Sequence, residues 1–163
     1  MNIRMIKAVA AGSVLALGLA SGAAQAATAD GTARATILQQ VTVANTSDLQ
    51  FGTVAIGTGG GSVAVSTAGA RTCATTLVCT GATTAAGFNV SGATGMTVGI
   101  SHPGSVTLTD GSGNNMTATI ASSATSLVLA GGDSFRVGGS LNVGATQAAG
   151  AYAGTFTVTV NYQ

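Results

Sequence analysis

From Gly150 to its end the chain reads GAYAGTFTVTVNYQ, setting Thr155, Thr157, Thr159 and Asn161 against Phe156, Val158, Val160 and Tyr162. Alternation with a period of two marks a strand with one buried and one wet face. The same rhythm recurs along the chain. Val41 and Val43, Leu49 and Phe51, Val54 and Ile56, Val63 and Val65, Phe88 and Val90, and Val98 and Ile100 each skip one residue. So do Val106 and Leu108, Ala118 and Ile120, Leu127 and Leu129, Phe135 and Val137, and Leu141 and Val143. Turn signals separate these runs: Gly57 to Ser62, Ser91-Gly92, His102-Pro103-Gly104, Asp110 to Asn115, and Gly131-Gly132-Asp133. No segment carries a helical period and no internal repeat has a fixed length. The expectation is an all-β chain folded as an antiparallel β-sandwich. Its many threonines suit the pleated surface, whereas its alanines and glycines thin the core, so each of four Phe and two Tyr must act as an anchor.

The N-terminus gives a destination. Arg4 and Lys7 precede an uncharged apolar run, and Ala24-Gln25-Ala26 supplies the small residues of a cleavage site. Residues 1–26 therefore read as a secretory signal peptide, too short and too interrupted by Gly and Ser for a membrane anchor. The mature chain, residues 27–163, is long enough for one domain and not for two. It carries Arg34, Arg71 and Arg136 against Asp30, Asp48, Asp110 and Asp133, with neither Lys nor Glu. Such a balance attracts neither nucleic acid nor anionic lipid, and it protects little against self-association.

Few residues here can do chemistry. Cys73 and Cys79 are the only cysteines, and an even count in an exported chain reads as a disulfide across a short loop, with two buried thiols as the alternative. His102 reads as an exposed turn histidine, since no nucleophile-elbow pattern accompanies it, and one His with two Cys cannot complete a zinc site. Asp110-Gly-Ser-Gly-Asn-Asn115 lacks the second carboxylate and distal Glu of a calcium loop and reads as a hairpin turn. Gly59-Gly60-Gly61 leads into no helix and no Gly-Lys-Ser/Thr, so it is a loop and not a phosphate cradle. Trp is absent, which weakens a sugar-binding reading. We expect neither an enzyme nor a cofactor-binding protein, and no metal site.

Backbone-mediated interaction remains. Gly31, Ala33, Ala35 and Ile37 fall on one face of the segment ADGTARATILQ, and Thr32, Arg34, Thr36 and Leu38 on the other. That segment can add to its own sheet or to a neighbour's, and the residues alone leave both open.

Three features carry a family resemblance: the penultimate Tyr162 after alternating Val160, Val158 and Phe156, with Gly150 fourteenth from the end; Leu49-Gln50-Phe51-Gly52-Thr53; and Gly-Ala-Tyr-Ala-Gly at 150–154. The chain resembles chaperone–usher pilins, the fimbrial subunits of Gram-negative bacteria, and within them the archaic pilins and spore-coat-U-like domains. It also resembles a widespread bacterial family of secreted, pilin-like domains. Archaic pilins place a Cys before the L-x-F-G segment, where this chain has Gln39-Gln40-Val41-Thr42. The resemblance implies an immunoglobulin-like sandwich left incomplete and completed by a donor strand. Residues 27–39 would be the N-terminal extension and 40–163 the sandwich domain. Ala33, Ala35 and Ile37 would be the donor residues, entering a groove walled by the C-terminal strand with Gly150, Phe156, Val158, Val160 and Tyr162. Partners would be identical or related subunits, a periplasmic chaperone and an outer-membrane usher, and the destination a surface fimbria. A self-complete monomeric adhesin module is the alternative, and an outer-membrane barrel is disfavoured for want of an aromatic girdle.

Overall fold

A computed structural model describes residues 25–163; the leader read at 1–26 lies outside the described residues save for its last two. Residues 25–35 are exposed and carry no strand. Thr36–Gln163 forms a compact unit of its own. Among the described residues there are twelve strands and no helix: β1 Thr42–Ser47, β2 Thr53–Ile56, β3 Gly61–Val65, β4 Arg71–Cys73, β5 Leu77–Thr80, β6 Ala86–Ser91, β7 Thr97–Ser101, β8 Ser105–Thr109, β9 Asn115–Ser122, β10 Ser126–Val128, β11 Asp133–Val143 and β12 Thr159–Tyr162. Every pairing is antiparallel. Seven strands form the main sheet, β10-β7-β12 a second, and β2-β5 a third. The architecture is the antiparallel β-sandwich that the alternation predicts.

The 11-residue β11 organises the main sheet. Asp133–Val137 pairs with β6, Val137–Leu141 with β9, and Gly139–Val143 with β3. Val137 has both Ala86 and Ser122 opposite it, and Gly139 has both Val65 and Ile120. Because a residue holds one partner per edge, β9 lies on one edge while β6 and β3 follow each other along the other. The changeover falls at Gly138, where an added Cβ would lie 2.5 Å from the Val65 carbonyl oxygen and 2.8 Å from Thr67 N. Only a residue without a side chain lets the end of β3 approach this closely.

Two apolar clusters fill the interior. Phe88, Val90, Phe135 and Val137 of the main sheet pack against Val98, Ile100 and Val160 of the second sheet. Phe88 stacks on Phe135 at 5.2 Å between ring centroids and meets Phe156 edge-on at 6.2 Å. The other cluster joins Phe51, Val63, Val65, Leu77, Ala118, Leu141 and Val143.

The fold departs from the sequence reading at four places. Phe135–Val137 and Leu141–Val143, read as two strands, are one, because Gly138-Gly139 breaks the apolar pattern without breaking the ladder. β4 and β5 were not read as strands, being only three and four residues long. No strand lies between 25 and 41, although the alternation there suits one. At the C-terminus, burial still alternates from Phe156 to Tyr162, yet ladder pairing covers only Thr159–Tyr162. Side-chain pattern sets which face is buried; a ladder also needs a backbone opposite.

Candidate functional site: an open groove along the C-terminal segment

Leu49, Gln50, Phe51 and Gly52 lead into β2, and β2 pairs with β5 along one edge only. Its other edge has no ladder partner among the described residues. Val54 packs on the second cluster while Ile56, two residues on, is 38% exposed. Facing β2 is the segment Gln147–Tyr152. The Gln147 amide Nε2 donates to the Tyr152 hydroxyl at 2.7 Å, and that hydroxyl donates to the Ala148 carbonyl at 2.9 Å, which fixes the loop on itself. Between these walls lies a groove of about 1030 Å3, floored by Phe51, Leu108, Met116, Leu141 and Val143. Its floor is the second cluster, seen from its uncovered side.

The C-terminal segment continues from this groove. Ala153 exchanges two backbone hydrogen bonds with Thr109, at 2.9 and 3.0 Å. Gly154–Val158 then makes no hydrogen bond among the described residues, although Phe156 and Val158 still pack on the first cluster. Gln163 N donates to Thr97 O at 3.1 Å, in register with Asn161 opposite Gly99 and Thr159 opposite Ser101. In an antiparallel ladder alternate residues point their backbone groups to opposite edges, so those of Val160 and Tyr162 face away from β7. They too have no backbone partner among the described residues. The result is an apolar-backed edge along which, among the described residues, Gly154–Val158 and the outward groups of Val160 and Tyr162 have no backbone partner, while Thr159 and Asn161 bond to β7.

Tyr162 closes the far end. Its hydroxyl accepts from Ala93 N at 2.7 Å and donates to Gln39 O at 2.7 Å. Gly92 makes room for it, since a Cβ there would lie 2.5 Å from the hydroxyl oxygen.

Residues 41–162 match the family described as domain of unknown function (DUF4402). The chain belongs to this family. No curated protein and no solved structure matches it. The DUF4402 match opens at Val41, one residue before β1, and closes at Tyr162, the last residue of β12, so it takes in both walls of the groove. Residues 25–40 precede it.

Within the DUF4402 domain, the residues singled out at the C-terminus lie in sequence along this edge. Gly150 is exposed beside the β8–β9 turn, a Cβ on it falling 3.1 Å from the Asp110 Cβ. Phe156, Val158 and Tyr162 are half-buried, and Val160 is buried. Ahead of the domain, Ala33, Ala35 and Ile37 are exposed and belong to no strand, Ile37 to 95%. Cys73 and Cys79 are joined as a disulfide. Asp110 accepts from Ser112 N, Asn114 N and Asn114 Nδ2, the bonding of a turn, at the tip of the β8–β9 hairpin. The hydrogen bond from the Asn114 side chain, followed by that from Ser112 N, holds its carboxyl below the ordinary value of 3.8. His102 is half-buried, not exposed as its turn suggested, with Nδ1 2.8 Å from Pro103 O. No group of three His, Cys, Asp or Glu clusters among the described residues. No helix among them is long and apolar enough to cross a membrane.

Sequence reasoning missed the β2 wall and the Gln147–Tyr152 wall as parts of one site. Val54 and Ile56 announced a strand, but nothing local says that its second edge lacks a neighbour.

Proposed function

We propose that the chain is a structural, non-enzymatic subunit of a surface fimbria, assembled when the N-terminal extension of one copy enters the open edge of the next. Delivery would take a chaperone–usher route: a periplasmic chaperone lends a strand to the same edge until an outer-membrane usher exchanges it for the incoming subunit. The observation that carries this reading is the open edge of Gly154–Val158, Val160 and Tyr162, without a backbone partner among the described residues and following directly in sequence from the groove between β2 and Gln147–Tyr152. A free edge backed by an apolar floor is a liability for a solitary exported protein and an asset for one that takes up a strand.

The donor would be residues 28–38. Ile37 is its most exposed large apolar side chain, ahead of Leu38, and burying it gains about 1.5–3 kcal/mol. Ala33 and Ala35 add little area, so backbone pairing would supply most of the register, each bond contributing about 0.5–1.5 kcal/mol. Arg34 and Thr36 would stay at the surface.

Electron microscopy of the mature protein, full length and without residues 27–38, each with and without a donor strand fused after Gln163, tests the reading. Filaments from the full-length chain, and a truncated chain that is stable only with the fused strand, support it. A truncated chain that folds unaided, with no filaments from either form, identifies a self-complete secreted module instead.

A further inference from the structure

The β2 wall is attached to the rest of the domain in an unusual way. β4 belongs to the main sheet through β3, and β5 carries β2, yet no ladder joins β4 to β5. Side chains close that seam. Arg71 and Cys73, two apart on β4, project from one face of the strand. Cys73 is bonded to Cys79 of β5, directly opposite Val54 of β2. Arg71 donates from Nη1 to Thr80 O at 2.8 Å and Gly81 O at 3.0 Å, and from Nη2 to Cys79 O at 3.1 Å. Gly52, at φ +78°, packs on the same node: a Cβ there would lie 2.6 Å from Thr80 O and 2.9 Å from Arg71 Nη1.

We infer that the Cys73–Cys79 disulfide is a redox latch on one wall of the groove: oxidised, it fixes β2–β5 against the main sheet, and reduced, it releases that wall alone. The consequence for strand capture rests on the reading of the groove given above; the release itself does not. In the reductive step a dithiol such as dithiothreitol transfers two electrons and two protons to the bridge. The S–S bond breaks, Cys73 and Cys79 become thiols, and the reagent closes to its cyclic disulfide. The ladders among β6, β9 and β11 hold neither cysteine, and Cys73 keeps its place opposite Val63 in the β3–β4 ladder, whose backbone bonds do not depend on the sulfur. Local opening of this kind is what amide exchange reads.

Hydrogen exchange on the full mature chain, oxidised and after dithiothreitol, decides the matter, with Cys73→Ser/Cys79→Ser as a reagent-free counterpart. The β2 amides bonded to β5 should exchange about tenfold faster in both reduced states, while Ile120 and Leu141 keep their rates. Unchanged β2 rates, or a rise shared by every strand, would overturn the latch. A fluorescent peptide of residues 27–40 then separates the two ideas. Tighter capture by the oxidised protein joins latch to groove, and equal capture by both redox states shows that the latch does not govern it. Capture by neither rejects the strand-accepting reading and leaves the latch to the exchange data.

Discussion

The hydroxyl of Tyr162, penultimate in the chain, donates to the carbonyl of Gln39 at 2.7 Å, tying the last strand to the residue from which the N-terminal extension departs. The same oxygen accepts from Ala93 N in the space left by Gly92. Tyr162→Phe keeps the ring and leaves a half-buried amide without its partner, so we expect a loss of about 1–2 kcal/mol in urea denaturation. Gly92→Ala pushes a methyl into the hydroxyl and into Leu129, costing about 1–3 kcal/mol. The double variant should lose less than the two losses combined, because removing the hydroxyl relieves part of the clash. Strict additivity would show that the two sites do not meet.

Two glycines make a contrast at the level of backbone approach. Gly138→Ala drives a Cβ into the backbone of Val65, Ser66 and Thr67 at the point where β11 changes partners, and should cost more than about 3 kcal/mol or prevent folding. Gly59 has nothing within 4 Å of an added Cβ and no left-handed φ. Gly59→Ala should stay within about 0.5 kcal/mol of the parent in thermal melts.

Asp110 has a lowered pKa, so its sign is that of a paired carboxylate. The turn gains its stabilisation above the ordinary value near 3.8 and loses it as pH falls through the lower folded value. NMR titration should find Asp110 below the ordinary value of 3.8, and Asn114→Ala should move it upward. A titration curve indifferent to Asn114 would remove the hydrogen bond as the cause.

Ile37→Asp separates assembly from folding. With Ile37 95% exposed, the monomer's denaturation midpoint should not move. Filament formation should cease, since an aspartate cannot enter an apolar groove unpaired. Normal filaments from this variant would remove residues 28–38 as the donor.

Sequence by itself determined that this chain makes antiparallel strands, which side of each is buried, and that Cys73 and Cys79 stand close enough to join. These are local properties: a period of two fixes the faces of Phe88, Val98 and Val160 whatever lies opposite. Tertiary structure decided which edges found partners. The alternation at 31–37 and at 154–158 is as regular as that of β12, yet neither segment is paired among the described residues, because pairing depends on a second backbone arriving from elsewhere in the chain. Likewise Gly138-Gly139 reads locally as a break, and only the approach of Val65 and Ser66 makes it the joint that keeps β11 whole. The groove has the same cause: it is the place where side chains pack and the backbone has no neighbour among the described residues.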